Sequence, residues 1–380
     1  MNEIYIKKAS YDIKNELQSI GFDSSYIDVA KNKYSGQIYK IFNLKPYEAN
    51  ILKQLCLSLG FDCAVSRETI MCNCEYTNAL IFATESQLNK LKKKLLIQPF
   101  RLKQLANIIP DNKKTFINPQ IMGIVNVTPD SFSDGGLYNS LEKSFEQVKK
   151  LISDGADIID IGGESTRPDA KSIDVEEEIN RVIPLINEIR KNGLNIPISV
   201  DTRNYKTAKL AMEAGANIIN DVTGLDYDSN LFDYVTNNNI PVIIMHSNKV
   251  PADGVDFSVN VVDDVYLYLN NKINLLVNAG LSKNNIIVDV GIGFGKSKES
   301  CYELLRRIDE FNSLGVKILL GISRKSFIRK EFDIDFEEAD IVSALYSSML
   351  KSVNIHRVHN VALTKKYLSY ASLLHEQKPL

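Results

Sequence analysis

Residues 157–168 read DIIDIGGESTRP. The first six are β-branched and apolar enough for a short buried strand. The run then breaks at once into glycine, acid and a Ser-Thr-Arg-Pro stretch. One apolar strand with a polar tip decides little, but here the pattern recurs from Gln120 to the end. The sequence predicts strands at QIMGIVN (120–126), DIIDIG (157–162), IPISVD (196–201), NIINDV (217–222), IPVIIMH (240–246), NIIVDV (285–290), VKILLGIS (316–323) and NIHRVH (354–359). Helix-length segments with apolar spacing near 3.6 lie between them, several stopped by glycine, as at Gly155, Gly193, Gly215, Gly280 and Gly315. Eight βα units predict an α/β fold, a (β/α)8 TIM barrel. A doubly wound open sheet also alternates, but usually with fewer strands.

The polar residues sharpen that choice. Asn126, Gly162–Glu164, Asp201, Asn220, Asp221, His246, Asp289, Ser323–Lys325, Arg357 and His359 fall at or just past predicted strand ends. Solvated loops would explain a few polar tips. A whole set of acids, amides and bases fits an active mouth at the C-terminal rim.

The stretch DVGIGFGKS (289–297) raises a competing reading, a nucleotide phosphate loop. That loop needs a glycine five places before the one preceding the lysine. Counting back from Gly295 reaches Val290, so the register fails.

Composition narrows the partners. The chain has 380 residues, 44% of them hydrophobic, and a formal net charge of −2. Near-neutral charge argues against a nucleic-acid partner, and no apolar run is long enough for a membrane span. The cysteines are Cys56, Cys63, Cys72, Cys74 and Cys301, a usage that fits a reducing cytoplasmic setting. Residues 1–119 are net positive and the rest net negative. With the Pro/Asn/Lys-rich stretch 109–120, this places a boundary near residue 112. A smaller α+β domain (1–112) precedes the barrel (113–380). In it, GQIYKIFNL and TNALIFAT read as strands, and PYEANILKQLCLSLG and SQLNKLKKKLL as helices. Cys72 and Cys74 would share a face on a strand, where thiols without a metal are the simpler reading. KLKKK (90–94) reads as a solvated helix face.

Asp201, Asn220 and Asp289 come from three strands, and carboxylates with an amide can grip the N–H and NH₂ edge of a 2-amino-4-oxo ring such as pterin or guanine. Ser323–Ser326, Arg357 and His359 follow the last two strands, where this fold commonly binds anions. The loops NVTPDSFSDGG (126–136) and GGESTRPDA (162–170) have the composition of mobile lids, and Asn126 and Asp130 are hard oxygen donors suited to Mg²⁺.

NVTPDSFSDGG, GGESTRP, SVDT, NDVTG, GFGK, GISRKSF and RVH, in this order, closely resemble the dihydropteroate synthase family over residues 120–380. The resemblance implies condensation of 6-hydroxymethyl-7,8-dihydropterin diphosphate with 4-aminobenzoate, giving 7,8-dihydropteroate and pyrophosphate in folate biosynthesis. It further implies that Asp201, Asn220, Asp289 and Lys325 hold the pterin. Asn126, Arg357 and His359 would hold the diphosphate, with Mg²⁺ near Asn126 and Asp130. Thr166, Arg167, Pro168, Phe132, Phe294 and Ser326 would form the aminobenzoate subsite. Asn126, Lys325, Arg357 and His359 carry the catalytic roles on this reading. Barrels of this size often pair, so a homodimer is one assembly open to the chain. Val290, Asn360 and Ser352-Val353 depart from the family pattern. The alternatives are a methyltetrahydrofolate–corrinoid methyltransferase, which would not need the SRK and RVH groups, and a non-catalytic pterin-binding barrel.

Overall fold

A computed structural model describes residues 14, 17–18, 21–34, 36–109, 118–127, 137–164, 173–247 and 260–373. The chain divides into two compact units, Met1–Lys114 and Thr115–Leu380.

The first unit is built on a three-stranded antiparallel sheet in the order β1 (Gly36–Leu44), β3 (Thr77–Thr84), β2 (Cys63–Val65). Strand β3 alternates strictly between buried and exposed residues, so it commits one face to a core. Ala79, Ile81 and Ala83 pack there against Leu52 and Cys56 of α1 (Pro46–Ser58), Leu88, Leu91 and Leu95 of α2 (Glu85–Leu95), and Leu102 of α3 (Leu102–Ile108). The KLKKK lysines flank Leu91 on the outer side of α2. Cys72 and Cys74 do not sit on a strand. They occupy a turn, with Cys72 in the left-handed region at φ 54°. They lie in the connection between the helical turn Arg67–Thr69 and Thr77, where β3 begins, so they share no strand face. Cys56 and Cys63 are buried thiols in the same core, and among the described residues no group of three His, Cys, Asp or Glu side chains gathers as a metal site would.

The second unit is a closed parallel barrel, and the eight strands run in sequence order around it. They are β4 (Gln120–Asn126), β5 (Ile158–Gly162), β6 (Ile198–Asp201), β7 (Ile218–Asp221), β8 (Val242–Met245), β9 (Ile286–Asp289), β10 (Lys317–Leu320) and β11 (Ile355–Val358). The ring helices are α4 (Leu137–Ser153), α5 (Val175–Lys191), α6 (Tyr205–Glu213), α7 (Ser229–Asn237), α8 (Val261–Asn278), α9 (Lys298–Arg306), the α10 (Ser326–Phe332) and α11 (Phe336–Met349) pair, and α12 (Val361–Leu373). Each strand is apolar on both faces, because one meets the helices and the other the barrel interior. Ile159, Ile161, Val200, Ile219, Ile244 and Val288 point outward into the helix-covered core. Met122, Ile158, Ile243, Ile287, Leu319 and Ile355 fill the interior as a plug. Two residues further along β5, β9 and β11 the inward positions become polar, at Asp160, Asp289 and Arg357. Register places Asn126, Gly162, Asp201 and Asn220 side by side across β4 to β7.

Candidate functional site

The polar layer above the plug is a connected network. Arg357, on β11, reaches across the barrel interior. Its Nε donates to Asp160 Oδ2 at 2.6 Å and its Nη2 to Asp201 Oδ2 at 2.7 Å. Asn220 Nδ2 lies 3.4 Å from both oxygens of Asp160. Asp160 is fully buried, and Asn220 and Asp289 nearly so. Gly162 and Gly321 keep this chamber open. A Cβ at Gly162 would lie 3.5 Å from Asp201 and 3.8 Å from Asn126 Oδ1, and one at Gly321 3.8 Å from Asp289 Oδ2.

Burial drives the electrostatics. Asp201 is pushed up to about 7, because desolvation and the neighbouring acids Asp160, Glu178 and Asp221 outweigh the attraction of Arg357. Asp289 is raised for the same first reason, against the pull of Lys325. Lys325 is pulled down to about 8 by burial, which the charge of Asp289 opposes. The Arg357 guanidinium is held charged by the two carboxylates despite its own burial. A ligand edge bearing N–H groups supplies the hydrogen bonds that the ionised acids lack, so its binding favours their charged forms.

The β9 turn answers the question raised by DVGIGFGKS. Gly291 has φ 69°, and its N–H donates to Asp289 Oδ1 at 2.8 Å. The turn approaches β8 so closely that a Cβ at Gly291 would lie 1.8 Å from the His246 carbonyl oxygen. Lys296 is buried and spends its ammonium on the carbonyls of Gly291 (2.8 Å) and His246 (3.1 Å). This lysine is a tether between strand ends, not a phosphate ligand. Ser297 caps α9, accepting from Ser300 N. Phe294 stays half-buried, with the Lys325 ammonium 4.6 Å from its ring centroid. Lys325 also donates to the Ile292 carbonyl.

The loop after β10 divides its residues. Ser323 Oγ lies 3.0 Å from His359 Nδ1 and accepts from the His359 backbone N–H at 3.2 Å. With its oxygen accepting the backbone proton, the Ser323 hydroxyl can donate its own to Nδ1, an arrangement in which the ring proton sits on Nε2. Arg324 turns away: its guanidinium makes a two-pronged pair with Asp340 of α11 at 2.9 and 2.8 Å. It is therefore not one of the mouth cations expected of the SRKS stretch. Ser326 is exposed at the start of α10.

Asn126, Asp201, Asn220, Asp289, Lys325, Arg357 and His359 thus all stand at the C-terminal end of one barrel. Asp130, Phe132, Thr166, Arg167 and Pro168 lie outside the described residues. Asp160 was missed in the sequence because it looks like a chance acid inside an apolar strand. Its signal was the strand period, which puts it on the same face as Ile158 and Gly162. Two family departures have physical answers. Asn360 caps α12 by accepting from Leu363 N at 3.1 Å, a task asparagine and aspartate do equally well, while Ser323 orients His359. Val290 is buried, and the turn after it is fixed by the Asp289–Gly291 bond and Lys296.

Residues 122–359 match the family described as pterin binding enzyme. The chain belongs to the pterin binding enzymes, among the dihydropteroate synthases. It is 41% identical over 244 residues to dihydropteroate synthase of Clostridium beijerinckii, covering 63% of this chain and 88% of that protein. It is 38% identical over 330 residues to a probable bifunctional folylpolyglutamate synthase/dihydropteroate synthase of Halobacterium salinarum, covering 83% of this chain but 40% of that one. Among solved structures, a Clostridium difficile dihydropteroate synthase determined in the presence of pteroic acid superposes with a TM-score of 0.65 at 36% identity, over 70% of this chain and all of that one. The Xanthomonas albilineans enzyme in complex with 7,8-dihydropteroate gives 0.62 at 34% identity, over 70% of this chain and 96% of that one.

Proposed function

We propose that this chamber condenses 6-hydroxymethyl-7,8-dihydropterin diphosphate with 4-aminobenzoate through the following division of labour. Asp201, Asn220 and Asp289 accept from the ring's amino and N–H edge, and Lys325 donates to a ring acceptor. The observation that carries the reading is the bridge from Arg357 to Asp160 and Asp201, which brings the acids and a cation for the departing anion into one buried chamber. Two Arg357 donors are already committed there, so the diphosphate would draw on Nη1, His359 Nε2–H and Asn126. Phe294 and Ser326, with Phe132, Thr166, Arg167 and Pro168 from the two loops, form the aminobenzoate subsite.

Asn126 places a hard oxygen beside Gly162 and Asp201 at the mouth, which fits Mg²⁺ held jointly by Asn126, Asp130 and the diphosphate. Such an ion would neutralise charge on the leaving group. The C–O bond from the pterin methylene to the diphosphate breaks first, its electron pair leaving with pyrophosphate. The aniline nitrogen then attacks the methylene and loses a proton. Buried dipoles and charges carry most of the rate, and no covalent enzyme intermediate is needed. We place the enzyme in the cytoplasm, a reading supported by its free cysteines, among them buried Cys56, Cys63 and Cys301. We read it as a homodimer, supported by the exposed Ile341, Leu345 and Met349 of α11. Among the described residues no helix is long and apolar enough to cross a membrane.

The test is pyrophosphate release on mixing the two substrates, with and without Mg²⁺. Release that needs both substrates is the expected result. No release from the folded full chain would overturn the assignment.

A further inference from the structure

Asp160 lies behind the groups that a bound ring would reach first, yet it bonds to two of them. Asn220 is a two-faced side chain, with an acceptor on one arm and a donor on the other. Which arm faces the chamber decides whether the site asks for a ring amine or a ring carbonyl. Asp160 is fully buried and lies 3.4 Å through both oxygens from Asn220 Nδ2. A carboxylate paired with a guanidinium can only accept, and Arg357 Nε binds it at 2.6 Å. The NH₂ arm of Asn220 must therefore turn back toward Asp160. Its Oδ1 points away, accepting from none of the described residues.

We propose that Asp160 is the positioning residue that sets ring selectivity. By locking the Asn220 amide with its oxygen outward, it makes the chamber select a 2-amino ring over the 2-oxo ring of the same shape. This rests on the pterin-binding reading above, with Asn220 facing the 2-position.

Substitution reverses the logic in a defined way. In Asp160→Asn, Arg357 Nε still needs an acceptor, so the new amide would give it the side-chain oxygen. The NH₂ arm of that amide would then face Asn220, which must turn its own Oδ1 back to accept. The NH₂ arm of Asn220 is then presented to the ring. In the double variant Asp160→Asn, Asn220→Asp, the carboxylate moves one place along the network. There it accepts from the introduced amide on one side and still offers an oxygen outward. The pair's total charge is unchanged from the wild type.

The experiment measures dissociation constants of the full chain for 6-hydroxymethylpterin and for 6-hydroxymethyllumazine, which carries oxygen in place of the 2-amino group. The wild type is expected to prefer the amino ring by on the order of 100-fold or more, since a site built around hydrogen bonds rejects the mismatched partner strongly. Asp160→Asn should cut that preference at least tenfold, and the double variant should restore it. A role confined to packing would weaken both ligands equally and would not be rescued. If the wild type shows no preference, the pterin reading itself fails. If the wild type discriminates and folded Asp160→Asn discriminates equally well, the inference is wrong while the pterin reading stands. Should the single variant not fold, the double variant decides: a folded protein without the amino preference overturns the proposal.

Discussion

Replacing Gly291 with alanine is expected to cost the barrel roughly 2–5 kcal/mol and to loosen a ligand-binding acid along with it. The backbone at Gly291 lies at φ 69°, where a side chain is disfavoured by about 1–2 kcal/mol. The new Cβ would stand 1.8 Å from the His246 carbonyl oxygen. That oxygen is backbone and cannot rotate aside, so the ends of β8 and β9 must part. Overpacking of this kind costs roughly 1–3 kcal/mol. For a unit of this size each kcal/mol moves the melting temperature by about 2–4 °C, so the expected drop is about 4–20 °C. The same shift stretches the bond from Gly291 N to Asp289 Oδ1, now 2.8 Å, and frees Asp289 to wander. Loss of one such bond is worth about 1 kcal/mol, so pterin affinity should fall about fivefold. Thermal melts of the full chain and titration with 6-hydroxymethylpterin measure both. Gly293→Ala is the control: its φ is 81°, but its Cβ would meet only the Lys325 chain at 3.4 Å, so only the backbone penalty applies. A Gly291→Ala protein that melts within about 2 °C of the wild type and binds pterin as well would refute the reasoning.

Other perturbations separate the remaining roles. Arg357→Ala strands Asp160 and Asp201 without their shared cation. It should therefore weaken bare pterin as well as the diphosphate and destabilise the barrel by about 3–5 kcal/mol, seen in denaturant titrations. The folded Asp201 pKa of about 7 lies above its unfolded value. Its contribution to stability is thus complete below about pH 4 and is lost as pH rises through 7. Melts of the ligand-free chain should show this slope and Asp201→Asn should flatten it. Pterin affinity should move the opposite way, rising with pH as the acid ionises. Ser323→Ala releases the lock on His359 and should lower kcat/KM for the diphosphate substrate about fivefold, with the affinity for bare pterin and the melting temperature nearly unchanged. Unequal losses in the reverse order would exclude the tautomer role.

Most of the barrel was legible because its signals are local. Each predicted barrel strand overlaps an observed one, with ends that agree to within three residues, and the polar tips mark the rim. Asp201, Asn220 and Asp289 were readable because each closes an apolar run. What escaped depends on contacts distant in sequence. Asp160 is an acid whose meaning comes from Arg357, 197 positions later. Lys296 sits in a glycine-rich turn that resembles an anion cradle, and only the closeness of the His246 carbonyl reveals its use. Arg324 looks like a mouth cation until its backbone at φ 59° points it toward Asp340. In the N-terminal unit, the one-residue spacing of Cys72 and Cys74 fits a strand face, but they lie in the connection between Val65 of β2 and Thr77 of β3.

Gly162 and Gly321 end two barrel staves where an extra carbon would touch its neighbours only at ordinary distances, 3.5 Å or more. Neither has the backbone twist that forbids a side chain. The fold would therefore accept alanine at either place without complaint, and the loss would fall on the guest. The hollow is thus separable from the walls around it: it can be stoppered by a single methyl group while the vessel stays whole.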